Sequence, residues 1–294
     1  MGLSVCVVGL GLMGRPIART LSAAGIEVKG WNRSALSPED IGSIELVDGL
    51  DEAARADVIL IVVSDTVATG VVLEGLLPSL RAGSVVFDMG SSDPGDSRER
   101  AAALERIGVG WVDAPVSGGP PAAQTGSLAI MAGGSEADCA RVWPVLETLG
   151  ANVVRVGGPG AGDAMKAVNQ LIVGLSIETV AEALALAEAL GFGAELVQRA
   201  LSGGSADNPQ LHVQGTRMGA RRYEPGGRVR TVLKDLRLAA KLADAESLSL
   251  PALRTTLELY ASADRAGAGE EDCSVLYEQQ VRDGRLRRAD PAGM

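Results

Sequence analysis

The sequence predicts an α/β architecture: a doubly wound, largely parallel sheet in the N-terminal half, then an all-helical domain joined to it by one long helix. Three observations carry this. Before Gly157, short β-branched runs alternate with helical stretches, which is the signature of βαβ units. The cluster Gly157-Gly158-Pro159-Gly160 then breaks the chain. Beyond it come helical segments punctuated by Gly191, Gly203-Gly204, Pro225-Gly226-Gly227, Pro251 and residues 267 to 269, with no convincing strand. The boundaries are placed at 1–161 and 162–294, within a chain of 294 residues that is long enough for two ordinary domains.

The first strand, around Val5 to Val8, runs into Gly9-Leu10-Gly11-Leu12-Met13-Gly14 and an amphipathic helix. Gly9 permits the tight turn, Gly11 lets a pyrophosphate approach the backbone, and Gly14 lets the helix pack on the strand. The phosphates would sit at the positive end of the helix that begins near Leu12. Strand, glycine turn, helix and second strand follow in register, the context a dinucleotide-binding Rossmann unit requires. The second strand, Val28 to Trp31, ends in Asn32-Arg33-Ser34. An NAD site usually carries Asp or Glu there, whereas Arg33 could grip a 2′-phosphate with its planar fork. The expected cofactor is therefore NADP rather than NAD, unless Arg33 is only a solvated surface arginine.

Further strands are expected at 58 to 63, 84 to 88, 110 to 114, 128 to 132 and 152 to 156. Val63 and Ser64, at the end of the first of these, are assigned to the cofactor. The segment Asp113-Ala114-Pro115-Val116-Ser117-Gly118-Gly119-Pro120 leaves the carboxyl edge of the sheet, where ligands of open α/β folds bind. Successive amides at Ser117, Gly118 and Gly119, with the Ser117 hydroxyl, could form a nest for a carboxylate. The alternative is a plain Gly-Pro turn.

The long helix runs from about Gly162 to Leu190, roughly 40 Å at 1.5 Å per residue. From Val168 to Ile177 it is apolar on nearly every face and is expected to be buried all round, in part against a second subunit. Lys166, Asn169 and Gln170 share one side of it. Burial disfavours the charged form of a lysine, which makes Lys166 a candidate acid/base group. The other reading is a lysine snorkelling from the first turn.

Composition narrows the classes. A net charge of −10 argues against a nucleic-acid partner. No uncharged apolar run reaches 18 residues, so no membrane span is expected, and the N-terminus lacks the basic region of a signal peptide. Cys6, Cys139 and Cys273 are scattered, as expected of small hydrophobes in a reducing, cytoplasmic setting. His212 is the only histidine, which makes a zinc site or a Ser-His-Asp triad improbable, and no metal is expected.

Taken in order, these motifs resemble the β-hydroxyacid dehydrogenases. GLGLMG comes first, then DAPVSGG with Gly126-Ser127-Leu128 and Gly133-Gly134. Gly160-Ala161-Gly162 follows, leading to MKAVNQ, and then Lys234-Asp235-Leu236. The resemblance covers nearly the whole chain. It implies a Rossmann domain and a helical domain with the site between them. It implies Lys166 as catalytic acid/base, Ser117, Gly118 and Gly119 on the substrate carboxylate, Ser91 near the nicotinamide, and Lys234 closing over the cofactor. Asp235 is assigned to the substrate, and Asn169 or Gln170 to orienting the reacting oxygen. The Lys-x-x-Asn-Gln form looks more like tartronate semialdehyde reductases, while Gly90 replaces a frequent Ser. The expected reaction is hydride transfer between NADP(H) and a short 3-hydroxy acid or its semialdehyde, in a homodimer or homotetramer. An imine reductase of the same architecture usually replaces the lysine with Asp or Tyr. Some chromatin-associated, non-catalytic relatives lose it. The retained Lys166 argues against both.

Overall fold

A computed structural model describes residues 2–281 as two compact units, one up to Lys166 and one from Ala167 onward. The division falls inside the long helix rather than at the glycine cluster, because the first turn of that helix is bound into the N-terminal unit. The polar end from Arg282 to Met294, included in the expected helical domain, lies outside the described residues.

In the N-terminal unit β1 (Ser4–Val8), α1 (Gly14–Ala23), β2 (Glu27–Trp31), α2 (Pro38–Ile41), β3 (Glu45–Leu46), α3 (Leu50–Ala53) and β4 (Val58–Ile61) come first. Then follow α4 (Thr66–Leu76), β5 (Val85–Asp88), α5 (Pro94–Glu105), β6 (Gly110–Asp113), β7 (Val116–Ser117), α6 (Gly119–Gln124), β8 (Leu128–Gly134), α7 (Glu136–Leu149) and β9 (Gly150–Gly157). The sheet order is β3-β2-β1-β4-β5-β6-β8-β7, with β9 beside β8. The pairs among β1 to β6 are parallel, while β8 runs antiparallel to β6 and β7. The order reverses between β1 and β4, and a crevice at such a switch point is where dinucleotides bind.

The strands read as continuous apolar runs because both faces are covered. Val5, Val7 and Leu60 enter one core cluster, and their neighbours Cys6, Val8, Ile59 and Ile61 enter the other. Helix α1 buries Ile17, Ala18 and Leu21 on one stripe. Side-chain caps start α4, α5 and α7, from Asp65, Asp93 and Ser135 respectively. The two-residue strands β3 and β7 escape the sequence pattern, since alternation needs more residues than either has. β7 lies within the segment read as a carboxylate nest or a Gly-Pro turn.

Helix α8 spans Ala161–Ala189, and the second unit adds α9 (Ala194–Leu201), α10 (Pro209–Ala220), α11 (Val229–Ala245) and α12 (Pro251–Ala263). No strand longer than the single bridge Arg228–Asp272 occurs after β9 among the described residues. The core of this unit joins Ile177, Val180, Ala181 and Leu184 of α8 to Leu233, Leu236, Leu253 and Tyr260. Helix α8 is not buried all round: Val168 is 51%, Ile172 62% and Leu186 63% exposed. Its partners within the chain cover the other side, and these three residues share one uncovered side of the helix, with the exposed Thr179 and Glu182 between Ile172 and Leu186. By length and composition α8 could also cross a bilayer, but Glu178 lies buried within it and 44% of its apolar window is packed inside the chain.

Candidate functional site

In the N-terminal unit, predicted site residues lie along the carboxyl ends of parallel strands. The turn after β1 has the geometry its glycines suggest. Gly9 has φ +102°, and a Cβ at Gly14 would stand 1.8 Å from the Gly9 carbonyl oxygen. A Cβ at Gly11, by contrast, would meet nothing within 4 Å, which leaves open the approach a pyrophosphate needs. No side chain caps α1; within its first turn the Arg15 N–H goes to the Gly11 carbonyl and Pro16 has none, so an anion would be received by the amides of the glycine turn just before them. These residues fit a dinucleotide. Leu12 is 59% exposed beside the turn. Leu10 is different: its side chain is buried in the core and its N–H donates to Asn32, so neither faces a ligand.

Asn32 joins the end of β2 to the turn. Its Oδ1 accepts the Leu10 N–H at 3.0 Å, and its Nδ2 donates to the Ser34 carbonyl at 2.8 Å. Arg33 and Ser34 are exposed. Val63 packs at the same edge, with its Cγ1 3.2 Å from where a Gly9 Cβ would stand. The Ser64 hydroxyl donates to Asp65, the cap of α4, at 2.8 Å. Ser91 follows β5, half-buried.

Ser117 pairs with Ala129 across β7 and β8, and Gly118 and Gly119 turn the chain into α6 with φ of +124° and +66°. Pro120 and Pro121 have no N–H, so the donors here are confined to the residues before them. Lys166, half-buried in the second turn of α8, donates from Nζ to the Val116 carbonyl at 2.7 Å. That bond places its ammonium beside Ser117.

A second group of predicted residues lies in the helical unit. Asn169 Nδ2 donates to Gln170 Oε1 at 2.8 Å, and Gln170 Nε2 donates to Asp235 Oδ2 at 2.6 Å. Lys234 Nζ stands 3.3 Å from Asp235 Oδ1. Asp235 is only 3% exposed, and its carboxylate is engaged by Gln170 and Lys234. Its place is that of a link between α8 and α11, not the substrate contact expected of it. Gln170 is buried in the same chain of bonds, and Asn169, half-buried, is the outer member.

Sequence reasoning missed a network of buried carboxylates in the N-terminal unit. Asp88, Asp113 and Asp163 are each at most 1% exposed. Their signal in the sequence is an acid closing β5, one closing β6 and one in the first turn of α8. Elsewhere, all three cysteines are free and buried, and His212 pairs with Asp207 at the surface. No group of three or more His, Cys, Asp or Glu side chains among the described residues could hold a metal ion.

Residues 4–158 match the family model for the NAD binding domain of 6-phosphogluconate dehydrogenase. Residues 160–279 match that for NAD-binding of NADP-dependent 3-hydroxyisobutyrate dehydrogenase. The 2-hydroxy-3-oxopropionate reductase of Escherichia coli K12 is 37% identical over 276 residues, spanning 92% of this chain and 94% of that one. An L-threonate dehydrogenase of Escherichia coli O6:H1 is 32% identical, covering 92% and 93% of the two chains. The crystal structure of a 3-hydroxyisobutyrate dehydrogenase from Salmonella typhimurium superposes with a TM-score of 0.86 at 32% identity, covering 94% of this chain and 99% of that one. An imine reductase from Pseudomonas shares the fold at 24% identity and a TM-score of 0.64, over 95% and 99% of the chains.

Proposed function

Because the chain belongs to the β-hydroxyacid dehydrogenase family, we propose that it moves a hydride between NADP(H) and a short 3-hydroxy acid or its semialdehyde, with Lys166 as acid/base. The observation that carries this reading is the Lys166 Nζ to Val116 carbonyl bond of 2.7 Å, which holds the ammonium next to the Ser117-Gly118-Gly119 segment. A bound nicotinamide supplies the hydride in one direction and accepts it in the other.

The residues do the rest. Ser117, Gly118 and Gly119 offer a hydroxyl and backbone N–H groups to a carboxylate. Lys166 gives a proton to the substrate oxygen in reduction and removes it in oxidation. The Val116 carbonyl holds the ammonium beside Ser117, where the oxygen of a substrate bound by its carboxylate would meet it. Of the two amides expected to orient that oxygen, Asn169 suits the task better, because Gln170 is buried and bonded to Asp235. The glycine turn and the start of α1 would receive the pyrophosphate of a bound cofactor, and the exposed Arg33 would pair with the 2′-phosphate that distinguishes NADP from NAD. The uncovered side of α8 supports assembly into a homodimer or homotetramer.

The test is turnover on a panel of 2-hydroxy-3-oxopropionate, 3-hydroxyisobutyrate, L-threonate and a cyclic imine, each with NADPH and NADH or their oxidised forms. Reduction of the semialdehyde or oxidation of a 3-hydroxy acid, faster with the NADP couple, is the expected result. Turnover of the imine alone would overturn it.

A further inference from the structure

Asp163 stands one helical turn before Lys166, in the first turn of α8. It is 1% exposed, yet every polar atom it offers has a partner. Its Oδ1 accepts the Ser92 N–H at 2.9 Å. Its Oδ2 meets the Ser97 hydroxyl at 2.6 Å. Its own N–H donates to Asp113 Oδ2 at 3.1 Å, and Asp113 Oδ1 accepts the Gly160 N–H at 2.7 Å. The helix start is also packed closely, because a Cβ at Gly162 would lie 2.3 Å from the Asp113 carbonyl oxygen. These bonds tie the beginning of α8 to the loop after β5, to α5 and to the end of β6.

The two ends of this clamp are the places where the proposed chemistry needs accuracy. Ser91, expected beside the nicotinamide, is the chain neighbour of Ser92. Lys166 follows Asp163 at a spacing of three, on the same side of the helix. We propose that Asp163 is a positioning residue, which holds the Lys166 ammonium and the Ser91-Ser92 loop in register for proton transfer. This rests on the reading of Lys166 as the acid/base group. A displacement of about 1 Å at a reacting group can cost on the order of a hundredfold in rate, so a clamp at this point has a large effect to exert.

The chemistry of the clamp specifies its conservative replacement. Burial, then the neighbouring Asp113 and Asp88, push the Asp163 carboxyl up to about 8. Both carboxyl oxygens are acceptors, Oδ1 of the Ser92 N–H and Oδ2 of the Ser97 hydroxyl. An asparagine keeps the acceptor for Ser92, and its amide N–H can donate to the Ser97 oxygen once that hydroxyl turns.

The experiment is a double-mutant cycle on the full chain, with NADPH and 2-hydroxy-3-oxopropionate as the probe pair. Asp163→Ala should lower kcat about ten- to a hundredfold, with the NADPH Kd, followed by its fluorescence, unchanged. Asp163→Asn should stay within about threefold of wild type, since it keeps both bonds. Lys166→Ala and the double variant should be equally slow, because a residue that acts through Lys166 has nothing left to position. If Asp163→Ala does not fold, Asp163→Glu carries the test. It keeps the carboxyl but cannot hold both partners at the same reach, and it should show the same loss of kcat without loss of NADPH binding. Three results would overturn the proposal: an unchanged kcat in Asp163→Ala, an asparagine variant as slow as the alanine one, or losses that multiply in the double variant. Wild-type kcat in Lys166→Ala would instead overturn the acid/base assignment and, with it, this proposal.

Discussion

The side-chain oxygen of Asn32 accepts the backbone N–H of Leu10 at 3.0 Å, so the residue at the tip of β2 holds the glycine turn closed. Asn32 is thereby occupied in structure, and recognition of the ribose end falls to Arg33. That side chain is exposed. Losing a charged hydrogen-bonded contact costs about 1.5–3 kcal/mol, roughly tenfold to a hundredfold in binding. Arg33→Ala should reduce the ratio of kcat/KM for NADPH over NADH by that factor, while kcat/KM with NADH changes little. Equal use of both cofactors by the wild type would contradict the assignment.

Substrates are expected to carry a carboxylate. Ser117→Ala should raise KM for 2-hydroxy-3-oxopropionate several-fold and leave kcat nearly intact, since it removes one ground-state contact. Gly118→Val is a poor probe of the nest. Gly118 sits at φ +124°, and an added Cβ would stand 2.6 Å from the Ala122 Cβ, so the turn itself would be disrupted. Uncharged aldehydes turning over as fast as carboxylated ones would refute the nest.

How much was legible beforehand follows from the range of the forces involved. The glycine turn, β1, β2 and the start of α8 could be read because each is set by neighbours within a few residues. The side chain of Leu10 could not, because its burial depends on the sheet beneath it. The pairing of Gln170 with Asp235 spans 65 positions, and no local pattern encodes it. Which faces of α8 the chain's own helices leave uncovered was not legible either, because apolar composition does not say which neighbour covers which side.

The uncovered side leads to the third prediction. Val168, Ile172 and Leu186 lie on one side of α8 and are exposed. Sedimentation should give a dimer or tetramer at micromolar concentration. Ile172→Asp should shift it toward the monomer, because a charge would be buried in the contact. A wild-type monomer with full activity would contradict this.

Stability should fall as pH rises. Burial raises the carboxyl of Asp113 to about 6, of Asp163 to about 8 and of Glu178 to about 7. Each folded pKa lies above its unfolded value near 4. In the interval between, the folded state binds more protons than the unfolded one, so stability declines with pH. Calorimetry should show Tm decreasing from pH 5 to pH 8.5, with a shallower decline in Asp163→Asn. A Tm that rises over this range would contradict the assignment of raised pKa values.

The acid/base role of Lys166 is tested most directly by kcat for Lys166→Ala and Lys166→Arg, measured alongside the NADPH Kd. General acid/base groups contribute about 10²–10⁴ in rate. Both variants should lose at least a hundredfold in kcat while binding NADPH normally. Arginine keeps the charge near Val116 but cannot release its proton at working pH. An arginine variant with near wild-type kcat would contradict the account and reduce Lys166 to an anchor of charge.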